Sequence, residues 1–295
     1  MTLAARLFYA LLWLGGRLPL RLAHRLGSLV GFAARAIGLR EARVSRRNLE
    51  LCFPSMAAGE RENLLRASLR QTGCTLAETA RCWTRPASDN LVLVREVEGG
   101  ALFDAALRSA RGVIVAAPHL GNWELLNQWL AQHTPLAIVY RPPRLAWMEG
   151  LLRQARSHGN ITQVRAEAAG VRQLLRMLKD GGCVGILPDQ QPKRGEGEFA
   201  PFFGIEALTM TLLSRLAHKT DAIVLFAWAE RLPHSAGFRV RVREAPDGIA
   251  VSDARQGVAA LNAGVEACVH EAPSQYQWSY KRFTIRPPET GPNPY

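Results

Sequence analysis

"VIVAAPHLGNWELL", running from Val113 to Leu126, changes character halfway along. Its first half is an apolar run of the kind that forms a strand buried on both faces, and its second half opens a helix. The strand ends near Pro118, and Asn122 is a good N-cap for a helix that begins at Trp123. The same break holds His119 and Glu124, five residues apart. On one continuous helix that spacing would set the two side chains about 140° from each other, so they converge only if His119 precedes the helix. Glu124 would then sit in the first helical turn, where the macrodipole favours its ionised form. A carboxylate there holds one imidazole nitrogen and leaves the other free as a base. Such a pair suits removal of a proton from a hydroxyl that attacks an activated acyl group. A satisfied histidine beside a helix cap is the structural alternative. The other six histidines have no acidic residue at this spacing.

Working outward from this break, strands and helices alternate. A helix is predicted over 101–110 before the strand at 112–117, then a helix over "ELLNQWLAQH", a strand at "PLAIVY" and a helix over 145–157. "VRQLLRMLKD" reads as a helix stopped by Gly181-Gly182, and "CVGILP" as a strand. A helix near 207–218, strands at "AIVLFAWAE" and "GFRVRVRE", and a helix over 254–271 follow. Upstream, 56–83 reads as helical. The pattern predicts an α/β fold with a mostly parallel central sheet flanked by helices, in one domain over 41–295.

Residues 1–40 read differently. "LFYALLWLGG", between Arg6 and Arg17, is uncharged but falls well short of the roughly twenty residues that a helical span of a bilayer needs. Arg17, Arg21 and Arg25 then recur every fourth position, placing three cations along one helical face. Up to Glu50 there are nine arginines against Glu41 and Glu50. The expectation is a membrane-associating helical segment lying at an anionic surface. A cleaved signal peptide and a plain core helix are the alternatives, the first lacking a nearby A-x-A cleavage site.

The whole chain of 295 residues carries a formal net charge of +12, with 48% hydrophobic residues, enough to bury a sizeable core and to favour an acidic partner. Nucleic acid, an anionic membrane and an acidic carrier protein all fit that balance. No nucleic-acid-reading helix or motif is evident, so nucleic acid is not expected as a partner. Five cysteines without C-x-x-C spacing read as reduced, buried thiols. No spaced ligand set for zinc, no G-x-S-x-G elbow and no P-loop occurs, so neither a metal nor a cofactor is expected.

"APHLGNWE", "VYRPP", "LPDQQPKRGEGEFAPFFG" and "YQWSYKRF", in that order, together with "RRNLELCFP" at 46–54, resemble the late acyltransferases of lipid A biosynthesis, the lauroyl and myristoyl transferase family. The resemblance covers roughly residues 40–288 and implies a glycerolipid-acyltransferase-like fold. It implies transfer of an acyl chain from acyl carrier protein to a hydroxyl of a lipid A precursor, a phosphorylated glucosamine disaccharide, on the cytoplasmic face of a bacterial inner membrane. By position, His119 and Glu124 match that family's H-x4-[DE] pair, and Arg156 resembles a site arginine. Asp189 matches its "D-Q/H" segment, and Gly204 and Thr209 its "FFG…T" segment. Asn122, Arg141, Lys281 and Arg282 complete the expected substrate-binding set. Acyl transfer to another lipid acceptor, such as a lysophospholipid or a phosphoinositide mannoside, is the enzymatic alternative, and a basic nucleic-acid-binding protein the non-enzymatic one.

Overall fold

The computed structural model describes residues 3–140, 142, 146–156 and 159–295. Among them the chain opens with α1 (Leu3–Gly16), α2 (Leu20–Ala36), α3 (Arg40–Cys52), α4 (Ala58–Thr84) and the short α5 (Ala87–Leu91). Strands and helices then alternate: β1 (Val94–Glu98), α6 (Gly100–Arg108), β2 (Val113–Ala116), α7 (Trp123–His133), β3 (Leu136–Tyr140), α8 (Ala146–Ala155), β4 (Ile161–Arg165), α9 (Ala168–Lys179) and β5 (Cys183–Ile186). A hairpin of β6 (Gly197–Phe202) and β7 (Ile205–Met210) precedes α10 (Leu212–Thr220), β8 (Ile223–Arg231), β9 (Phe238–Glu244) and α11 (Ala254–Glu271).

Seven strands form one sheet in the order β1-β9-β8-β2-β5-β3-β4. From β8 to β4 neighbouring strands run parallel, whereas β9 returns antiparallel to β8 and β1 runs with β9. β2 lies between β8 and β5 and is buried throughout. Its side chains alternate between two cores. Ile114 and Ala116 join residues of α9, α10 and α11, while Val113 and Val115 pack with Phe103 of α6 and Trp129 of α7. Both faces are therefore covered by helices, which is why the strand reads as an unbroken apolar run. The carboxyl ends of β2 and β5 lie side by side, the position where parallel α/β sheets bind ligands.

The helix predicted near 207–218 begins later. Residues 205–210 pair antiparallel with 197–202, and Phe203 and Gly204 both adopt left-handed φ values, 50° and 74°. Two successive left-handed residues are what a tight two-residue hairpin turn requires. Gly204 is thus a turn residue.

The membrane-associating segment expected over residues 1–40 is corrected. No helix among the described residues is long and apolar enough to cross a membrane, and α1 and α2 instead pack along α4. Gly27 and Gly31 of α2 and Gly73 of α4 bring the two backbones into direct contact. Arg21 and Arg25 border a cavity shared with Arg70 of α4. The expected inner-membrane location is corrected to the same extent: no described helix would anchor the chain there by crossing the bilayer. A methyl group at Gly73 would collide with the Gly27 carbonyl, backbone that cannot rotate away. Gly73→Ala should therefore cost about 1–3 kcal/mol, as overpacking does, read as a lower melting temperature. An unchanged melt would show that α2 is not seated on α4 as described.

Candidate active site

The turn after β2 places His119. Gly121 takes φ +62°, with no room for a side chain beside the Ala229 carbonyl, so glycine is required there. Its N–H donates to the Gln275 carbonyl (3.1 Å), and the Asn122 N–H donates to the Ala229 carbonyl (2.9 Å). Asn122 caps α7 as its sequence position suggests, its side chain accepting from the Leu125 N–H at 2.9 Å. It is buried there, caps the helix and borders only a small void of about 10 Å³, not the cavity at His119.

His119 is held from β5. Both oxygens of Asp189 accept from it, Oδ2 from the backbone N–H (3.0 Å) and Oδ1 from Nδ1 (2.8 Å). Burial pushes the Asp189 carboxyl up, but the charge and hydrogen bonds of His119 outweigh it and hold the group below its usual range. Tyr276 is pushed well above its usual value by burial and by the Asp189 charge, so its phenol stays protonated. In the neutral tautomer that donates from Nδ1 to this carboxylate, Nε2 carries the lone pair. The Gln190 amide sits at that nitrogen, 3.2 Å away, and also donates to Gln277 Oε1 at 3.2 Å. Trp123 packs edge-on against the imidazole, ring centroids 5.0 Å apart.

Glu124 does not hold His119, contrary to the reading of the five-residue spacing. It turns to Arg156, whose Nε donates to both carboxylate oxygens at 3.1 Å and whose terminal amine makes a further, shorter bond. Burial lowers the Arg156 pKa, yet the Glu124 charge and hydrogen bonds overcome this and raise it. The physical reason for the exchange is direction: α7 carries the Glu124 side chain away from the turn and toward the end of α8, while β5 brings Asp189 beside β2.

His119, Arg156 and Gln190 share a cavity of about 450 Å³. Its remaining wall is largely apolar, with Ile138, Val171, Leu187, Met210 and Leu212 among the lining residues. The expected Thr209 and Arg282 are brought together, but beneath the site: Arg282 is buried and donates to the Leu208 carbonyl (2.6 Å) and to the Thr209 hydroxyl, which donates to Asn262 at 3.1 Å. Lys281 lies over the Tyr295 ring. Phe202 and Phe203 pack against Tyr276 and Trp278 respectively, in the core. Arg141 lies outside the described residues. Gln190, Gln277, Trp123 and Tyr280 are site residues that sequence reasoning missed. The first sits beside Asp189, and "YQWSYKRF" contains two of the others.

A profile of the bacterial lipid A biosynthesis acyltransferases matches residues 2–284. The lipid A biosynthesis palmitoleoyltransferase of Escherichia coli (strain K12) is 32% identical over 283 residues, covering 94% of this chain and 89% of that protein. The lipid A biosynthesis lauroyltransferase of the same organism is 30% identical over 282 residues, covering 94% and 90%. A lipid A biosynthesis acyltransferase of Haemophilus influenzae is 29% identical over 303 residues, covering 97% and 94%. Relatives named for different acyl chains match almost equally well, so the likeness identifies a family and not a lauroyl or myristoyl specificity.

Proposed function

The chain belongs to the bacterial lipid A biosynthesis acyltransferase family, and from that premise we propose that it moves a fatty acyl chain from an acyl carrier protein thioester to a hydroxyl of a phosphorylated glucosamine disaccharide. The observation that carries the chemistry is the His119–Asp189 pair opening into an apolar-walled cavity.

The acceptor hydroxyl displaces the Gln190 amide from His119 Nε2, and that nitrogen takes its proton as the oxygen attacks the thioester carbonyl. Asp189 fixes the ring and stabilises the imidazolium that forms, the part a buried carboxylate plays in related triads. Arg156, kept cationic by Glu124, supplies positive charge to the oxyanion. When the tetrahedral intermediate collapses, the carbon–sulfur bond breaks and the imidazolium returns its proton to the leaving thiolate. The products are an ester and a free thiol. The apolar wall from Ile138 to Leu212 houses the acyl chain.

Mass spectrometry of lipid A tests this reading in cells. Lipid A from cells lacking the protein should be lighter by one acyl chain, with the mass restored by the intact chain and not by His119→Ala. An unchanged acyl count in cells lacking it would overturn the assignment of acceptor.

A further inference from the structure

A second and larger cavity, about 1170 Å³, lies between α2, α4 and the turns at Pro233–Ser235 and Pro273–Gln275. Besides Arg231, which is buried and ion-paired with Glu78, three arginines border it: Arg21 and Arg25, one turn apart on α2, and Arg70 on α4. All three are exposed, and none has an ion-pair or hydrogen-bond partner among the described residues. The acids nearby are already committed. Glu230, which also borders the cavity, is bonded to Arg241 at 2.7 Å. Glu78, beneath the floor, is shared between Arg231 (2.6 Å) and His24 (2.6 Å). The cavity thus keeps three uncompensated guanidinium groups.

A separate observation points to the same place. His234 and Ser235 at the mouth both adopt left-handed φ values, 55° and 57°, without being glycine. That conformation is costly for two successive side chains and persists only where the surroundings impose it. Here Ser235 Oγ is tied to His24 Nδ1 at 2.9 Å, which presents the exposed His234 at the cavity. Such outliers gather at ligand clamps.

We propose that this cavity is a phosphoryl-binding site. A phosphomonoester offers nearly two negative charges and three acceptor oxygens, which suits several forked guanidinium donors better than a single carboxylate does. The site adjoins the catalytic turn. Gln275 borders the cavity and its carbonyl accepts the Gly121 N–H, while its side chain brackets the Arg231 backbone at 2.8 and 2.9 Å. A phosphorylated molecule seated there lies one hydrogen bond from the turn that carries His119. Identifying its phosphoryl group with that of the acceptor rests on the proposed function; the binding site itself does not.

Calorimetric titration of the full chain with glucose 1-phosphate, inorganic phosphate and uncharged glucose tests the assignment. Both phosphates should bind and glucose should not. Arg25→Gln and Arg70→Gln should each weaken phosphate binding on the order of tenfold, the loss expected for one charge-assisted hydrogen bond, with an unchanged melt. Tighter binding of glucose 1-phosphate assigns the site to a phosphorylated headgroup, and equal binding assigns it to free phosphate. No heat beyond that of glucose, or undiminished binding by the Arg21→Gln, Arg25→Gln, Arg70→Gln variant, overturns it. A chain that binds phosphate here yet transfers no acyl group would sink the proposed function and leave this site standing.

Discussion

Asp189→Asn is expected to lower kcat on the order of 10²- to 10⁴-fold, nearly as much as His119→Ala, while the protein stays folded. The asparagine keeps the size of the side chain but removes the charge that favours the Nδ1–H tautomer and stabilises the imidazolium. Its amide can present N–H to Nδ1, which would move the ring proton to Nε2 and leave no lone pair facing the acceptor. The acyl chain and the acceptor should still bind, so KM should change little. The measurement is steady-state turnover of the thioester alongside a thermal melt. Near-normal kcat in Asp189→Asn would show that the 2.8 Å contact with His119 is structural only.

Glu124→Ala should behave differently, chiefly as a loss of stability. Glu124 is buried and its bonds go to Arg156, which is itself largely enclosed. Removing one partner of such a pair strands the other charge, at a cost of about 3 kcal/mol, the lower end of the range for broken buried pairs because Arg156 keeps some exposure. The Glu124→Ala, Arg156→Ala double variant should recover part of that loss, since no lone cation remains, yet should turn over more slowly than Glu124→Ala, because the Arg156 charge is gone. Denaturant unfolding of both variants reads this directly. If Glu124→Ala melted like the parent but lost catalysis with its pH profile shifted, Glu124 would be acting on His119 after all.

The contrast between the two carboxylates marks how far the sequence reaches. The strand-to-helix break was legible because its signals are local: an apolar run, Pro118 and the Asn122 cap. The partner of His119 was not, because Asp189 lies 70 residues away and meets it only through the parallel pairing of β2 and β5. Spacing therefore favoured the nearest acid. β1 and β4 escaped notice because "VREVE" and "ITQVR" are short edge strands with mainly exposed or half-buried side chains and no apolar run. "IEALTM" joined the following helix in the sequence reading because nothing between them breaks a helix; only the Phe203-Gly204 turn and its partner strand make it β. At the N-terminus the arginine spacing was clear, but the glycines that seat α2 on α4 come from two helices and carry no joint signal until both are placed.

The central claim, that His119 held by Asp189 transfers an acyl chain to a lipid A precursor, is tested most directly with purified components. The protein is incubated with an acyl carrier protein thioester and the hydroxyacylated, phosphorylated glucosamine disaccharide, and both products are followed by mass spectrometry. The account predicts a disaccharide heavier by one acyl chain and an equal amount of free carrier thiol, with neither formed by His119→Ala. Free fatty acid with an unmodified disaccharide, or transfer that persists in His119→Ala, would contradict it.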